Sequence, residues 1–165
     1  MPAKPKASPS SAAQPITIRE ATVADLEIIV AHRRNMFRDM GTEPALLEKI
    51  ARNSRPFIER GLREGWYHGW LAAASGEIAA GAGVMVYGWP TGPLDPDATK
   101  RAYFLNVFTE PKFRQRGLAR KLTDVAIEWT RKQGFKVLWL HASDQGRPIY
   151  ENLGFEQTNE MRITL

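Results

Sequence analysis

Hydrophobic positions along the chain change period several times, and each change marks a structural element. Ile16 and Ile18 alternate with Thr17 and Arg19, the two-residue period of a short strand. Thr22 stands three places before Asp25, close to a capping box, and Leu26, Ile29, Val30, Met36, Phe37 and Met40 then predict a long helix ending near Gly41. A second helical segment is expected from Pro44 through Leu47 and Ile50, fraying near Arg60. Trp70–Ala74 and Ile78–Tyr87, joined by Ser75-Gly76, read as a hairpin, although their alanines and glycines are weak strand formers. Trp89–Lys100 holds three prolines, one glycine and two aspartates and predicts a loop. Ala102–Phe108 is apolar at nearly every position except Asn106, as befits a central strand covered on both faces. Leu118, Leu122, Val125 and Trp129 lie on one helical face reaching as far as Gly134, and the short apolar strand Val137–Leu140 leads to a helix from Gln145 to Asn152.

The first fifteen positions differ from the rest. Met1–Pro15 carries four prolines, two lysines and no large apolar residue after Met1, which predicts a disordered tail. It has no acid, but also no arginine and no amphipathic period, so a transit-peptide reading has little support. Residues 16–165 are then one domain, a reasonable size for a chain of 165 residues. No run is long and apolar enough to cross a bilayer. The absence of cysteine removes disulfides, thiolate ligands and any cysteine nucleophile, and fits a reducing, cytoplasmic setting. The histidines form no ligand pattern, so no metal is expected.

A formal charge of +5 raises the question of an anionic partner. Lys112, Arg114, Arg116, Arg120 and Lys121 cluster around a glycine turn and the first turns of a helix, without the aromatic interleaving of a nucleic-acid platform. A compact polyphosphate fits this better than nucleic acid. Pro111 ends the preceding strand, so strand, turn and helix follow in order. A helix start exposes unpartnered N–H groups and the positive end of its dipole, and Gly117 lets a diphosphate approach the main chain.

Arg114-x-x-Gly117-x-Ala119, preceded by Pro111 and Phe113 and followed by an amphipathic helix, resembles the acetyl-CoA turn of the GCN5-related N-acetyltransferase family. Tyr150-Glu151-Asn152-Leu153-Gly154-Phe155 resembles that family's tyrosine-x-x-x-glycine-phenylalanine ending. The resemblance implies an α/β fold with a mixed, mostly antiparallel sheet flanked by helices, and a splayed strand pair that holds acetyl-CoA. It implies direct transfer of the acetyl group from the thioester to a primary amine of a small molecule or peptide. Main-chain groups at Val107, Phe108 and Thr109 would meet the pantetheine and thioester, and Arg114, Gln115, Arg116, Gly117, Leu118 and Ala119 the diphosphate. Ser143 would bond the pantetheine or cap the next helix. Tyr150 would protonate the departing thiolate, unless it only packs helix against strand.

Asn106 departs from the family pattern where some relatives carry a glutamate base, since an amide cannot take a proton from an ammonium ion. Glu110, His141 and Glu77 are the substitutes, with a water chain as the remaining route. Acceptor recognition is expected from Arg33, Arg34, Phe37, Met40, Trp66, Tyr67, Trp70, Tyr87 and Trp89. A silent acyl-CoA-binding module, or a transferase for a longer acyl group or a non-amine acceptor, stands as the alternative. Self-association as a homodimer is left open, and no membrane partner is expected.

Overall fold

The computed structural model describes residues 15–165, so the predicted tail Met1–Pro15 falls, except for Pro15, outside the described residues. The elements are β1 (Thr17–Glu20), α1 (Leu26–Asp39), α2 (Pro44–Glu64), β2 (Tyr67–Ala74), β3 (Glu77–Gly88), β4 (Lys100–Thr109), α3 (Leu118–Lys132), β5 (Leu138–Leu140) and α4 (Arg147–Glu151). Short 3-10 turns at Val23–Asp25 and Pro111–Phe113 lead into α1 and the glycine turn. The strands form one open sheet in the order β1-β2-β3-β4-β5, antiparallel except for the β4–β5 pair. This is the α/β architecture implied by the sequence.

Helix α2 runs past the expected frayed end at Arg60 to Glu64, where Gly65 takes a left-handed φ of 73° as its cap. Ile58 and Gly61 are buried on its inner face, and that packing carries the helix through Pro56, which lacks one backbone donor. The hairpin also begins earlier than its apolar run, because Tyr67, His68 and Gly69 pair with Met85, Val84 and Gly83.

Small residues in β2 and β3 make room for their neighbours. A Cβ on Gly81 would lie 2.8 Å from His32 Nδ1, and one on Gly83 would collide with the Tyr67 side chain. On one sheet face Phe104, Leu118, Leu122 and Ala126 pack with Trp70 and Tyr150 beneath α3 and α4. On the other, Leu26, Ile29, Val30 and Ile58 from α1 and α2 gather around Tyr67.

Two irregularities of β4 prepare the site. Its pairing with β5 is limited to Ala102↔Leu138, Tyr103↔Trp139 and Phe104↔Leu140, after which the strands part. Against β3, Gly83 faces Leu105 while Gly81 faces Phe108, so β4 carries one extra residue in this step, a β-bulge. Asn106 absorbs it with a φ of 58°, a conformation that asparagine tolerates better than most residues.

Candidate active site

The glycine turn is built on a buried anchor. Phe113 is sunk into the core, and above it Gln115 and Gly117 both take left-handed backbone, with φ of 60° and 72°. Lys121 N–H donates to the Gly117 carbonyl as the first full turn of α3 closes, so the preceding N–H groups are left without helical acceptors. Apart from its chain neighbours, no atom of the described residues lies within 4 Å of where a Cβ on Gly117 would sit, so the space above the turn is open. Arg114 is held to the body of the protein: its Nε donates to the Thr109 carbonyl at 3.0 Å and its Nη2 to Asp39 Oδ2 at 2.5 Å. Arg116 lies over the Phe113 ring, 5.3 Å from its centroid. Leu118 is buried and offers the turn only its main chain, while Ala119 keeps the helix entry narrow. Consecutive free N–H groups, an open approach and nearby cations suit a diphosphate.

The parted strands supply the next region. Asn106 and Val107 lie in the bulge, with no register partner in β3 or β5. Phe108 is buried against His32, with ring centroids 5.2 Å apart, and Thr109 pairs with Ala80. Across the gap, Tyr150 is buried edge-on between Phe104 and Phe155, at 6.3 and 5.8 Å. Burial pushes its phenol up to about 12, so it holds its proton. Among the described residues its hydroxyl has no hydrogen-bond partner, and Tyr150 borders the groove beside β5. Ser143 Oγ accepts a bond from Gly146 N–H at 3.1 Å in the turn before α4, whose N-cap is Gly146 and not the expected Ser143. His141 is exposed, makes a short contact with the Tyr103 hydroxyl, and shares with Tyr150 a groove of about 560 Å³ beside β5.

Beneath α1 and α2 lies a separate pocket of about 590 Å³, bounded by Arg33, Lys49, Ser54, Phe57, Tyr67, Leu105 and Asn106 among others. The Asn106 side chain bridges its floor. Its Oδ1 accepts from Arg33 Nη1 at 2.6 Å and its Nδ2 donates to the Tyr67 hydroxyl at 2.9 Å. Arg33 Nε donates to Ser54 Oγ at 3.1 Å, and its guanidinium lies 5.0 Å from the Phe37 centroid. Burial lowers the Arg33 pKa from its ordinary value; burial also lifts Tyr67 to about 12, against the opposing pull of the Asn106 bond and the Arg33 charge.

The family resemblance pointed to Arg33, Phe37 and Tyr67 for acceptor recognition but gave Asn106 no partner. It gave no sign of Lys49 or Ser54, whose polar helical positions look like an ordinary solvated face. His32 belongs to no ligand pattern in the sequence. It is buried, held neutral by desolvation that drops its pKa to about 4, and its Nε2 lies 3.7 Å from Glu110 Oε1. The remaining candidates disperse: Glu77 pairs with Lys112, Arg34 with Glu48, Trp70 is in the core, and Trp89 stacks on Arg101. Among the described residues no three histidine or carboxylate side chains converge as a metal site.

Residues 33–155 match the Acetyltransferase (GNAT) family. The chain is 30% identical over 90 residues to the Uncharacterized N-acetyltransferase YjgM of Escherichia coli (strain K12), over 53% of this chain and 50% of that protein. It thus spans about half the length of that curated relative. The crystal structure of a GCN5-related N-acetyltransferase from Ralstonia eutropha JMP134 superposes with a TM-score of 0.87 at 32% identity, covering 92% of this chain and 99% of that one. A predicted acetyltransferase from Clostridium acetobutylicum, solved with acetyl-CoA, shares the fold at TM-score 0.79 and 24% identity, covering 91% and 96%. An aminoglycoside N-acetyltransferase, AAC(6')-Iy, in complex with CoA shares it at 0.68 and 19%, covering 94% and 97%. With the family match spanning most of the chain and the splayed sheet behind it, the protein belongs to the Acetyltransferase (GNAT) family.

Proposed function

We propose that residues 16–165 form one acetyl-CoA-dependent N-acetyltransferase domain that passes an acetyl group directly to a primary amine. The observation that carries this reading is the bulged main chain at Asn106–Val107, between a diphosphate-shaped turn and a pocket large enough for a small acceptor. The acetyl-CoA in the Clostridium acetobutylicum neighbour and the CoA in AAC(6')-Iy support the choice of donor.

The turn Gln115–Ala119 presents main-chain N–H groups to the diphosphate, with Arg116 at its side, while Arg114 braces the turn against Thr109 and Asp39. Main-chain groups of Val107, Phe108 and Thr109 align the pantetheine and polarise the thioester carbonyl. Ser143 remains able to donate its hydroxyl proton while accepting from Gly146. Tyr150, protonated throughout the neutral range, donates to the leaving thiolate. Glu110 and His141 are the groups that take the amine's proton; Glu110 is favoured because it follows the bulge and faces α1 at His32.

Calorimetry with acetyl-CoA, CoA, NAD and ATP tests the donor site. Acetyl-CoA is expected to bind with about micromolar strength or better and to compete with CoA, with the other two much weaker. Gly117→Val should weaken acetyl-CoA by about 2 kcal/mol, roughly thirtyfold, through the left-handed backbone and the branched side chain placed over the turn. Absence of acetyl-CoA binding would refute the reading; binding without thiol release from any amine would favour a silent acyl-CoA module. A cytoplasmic home is consistent with the described residues, in which no helix is long and apolar enough to cross a membrane.

A further inference from the structure

The pocket under α1 and α2 contains cations without counter-ions. Arg33 and Lys49 line it, and no aspartate or glutamate does. Arg33 spends two donors on neutral acceptors, Ser54 Oγ and Asn106 Oδ1, and among the described residues it has no carboxylate within 4.0 Å. A guanidinium carries five N–H donors in a planar fork suited to a carboxylate, and among the described residues its Nη2 group has no hydrogen-bond partner. Leaving such a charge half-buried with only neutral partners is costly unless a ligand completes it.

Apart from Asn53, Ser54, Tyr67 and Asn106, the rest of the wall is apolar. Leu46, Ile50, Phe57, Ile58, Met85 and Leu105 surround the charged end, and Leu46 and Phe57 are exposed at its rim. The volume of about 590 Å³ suits a small molecule. Distance narrows the chemistry further, because Asn106 both holds Arg33 at 2.6 Å and belongs to the bulge where the thioester is placed. An acceptor bound to Arg33 must therefore carry its amine close to its anionic group. Polyamines and aminoglycosides, with several positive charges, would meet two cations and no compensating acid.

We infer that the acceptor is an α-amino acid with a large apolar side chain, its carboxylate bound by Arg33 and its side chain enclosed by Ile50, Phe57, Ile58 and Met85. This rests on the transferase reading for the amine's fate, but the carboxylate site can be measured without turnover. N-acetyl-L-phenylalanine and its carboxamide differ at the carboxylate only and are titrated by calorimetry into the full chain. The acid should bind at least about tenfold more tightly, and Arg33→Gln should remove that preference while Arg33→Lys restores part of it. Thiol release with L-phenylalanine, L-phenylalaninamide and spermidine should rank kcat/KM in that order.

Equal affinity for acid and amide, a preference that survives Arg33→Gln, or spermidine as the best acceptor would overturn the assignment. Should Arg33→Gln fail to fold, the paired ligands on the unaltered protein still decide it. If the Arg33-dependent preference is present but no acetyl-CoA binds, the transferase reading fails and the carboxylate site stands. If thiol release is rapid but indifferent to the carboxylate, the reverse holds.

Discussion

The two ends of β4 treat their charges in opposite ways. At its start the strand is paired on both sides, and buried Arg101 lies 3.7 Å from the Trp139 ring centroid with Nη2 bonded to Glu160 at 2.5 Å. Toward its other end β4 leaves β5, bulges away from β3, and meets Arg33 through the neutral amide of Asn106. One arginine has a carboxylate and an aromatic sandwich supplied by the protein, and its charge is committed to folding. The other keeps donors free beside an open pocket. The two differ in what the protein supplies to each guanidinium, and residue type alone does not distinguish them.

The strongest way to test the open end is to remove the proton of Tyr150. Tyr150→Phe keeps the ring between Phe104 and Phe155 and deletes a hydroxyl that has no hydrogen-bond partner among the described residues, so folding and acetyl-CoA affinity should change little. Under single-turnover conditions with both substrates saturating, transfer should slow by about 10² to 10⁴-fold, or roughly 3 to 5 kcal/mol at the barrier. An unchanged rate in that step would return Tyr150 to a packing role.

Next in size is a pH effect beside the bulge. Burial holds His32 near a pKa of about 4, below the 6.5 of an exposed imidazole, and its Nδ1 has no hydrogen-bond partner. Between these values the unfolded chain binds a proton that the folded chain refuses. Stability should therefore decline as pH falls from about 6.5 to about 4, by roughly 3 kcal/mol from this group, and recover as pH rises. His32→Gln should flatten that part of a denaturant-derived stability profile. A slope identical to the parent would show that His32 titrates as freely in the folded protein as outside it.

The difference between the two ends also explains what could be read in advance. Helix α3 and the glycine turn were legible because period and turn chemistry are local: Leu118 and Leu122 repeat along one face, and Gly117 has the left-handed φ that its position requires. The parting of β4 and β5 came from family resemblance, since three paired residues leave little periodic signal. The bulge and the Arg33–Asn106–Tyr67 chain were not legible. They join residues separated by 73 and 39 positions, and a single asparagine in an apolar strand does not announce a φ of 58°. His32 next to Glu110 was missed for the same reason: α1 and the end of β4 meet only once the sheet has formed.

The smallest expected effect belongs to the closed end and asks whether its ion pair contributes to stability. Glu160 is about half exposed, whereas Arg101 is 6% exposed, so solvent weakens the pair from one side only. Glu160→Gln keeps an acceptor within reach of Nη2 and removes the charge. The stack on Trp139 and the further ring of Trp89, 4.8 Å away, remain to shield the guanidinium. Arg101 Nε has no hydrogen-bond partner already, so the variant leaves the cation less compensated but does not create a new cavity. A loss of about 1 kcal/mol is expected, lowering the thermal midpoint by roughly 2 to 4 °C, with acetyl-CoA binding and the acid-over-amide preference unchanged. Calorimetric melting of both proteins at low and high salt measures it, and the gap should narrow as salt rises. If the variant melts with the parent, the aromatic sandwich alone holds Arg101. If it loses the carboxylate preference at Arg33, the two ends of β4 are coupled and the division between a folding cation and a binding cation fails.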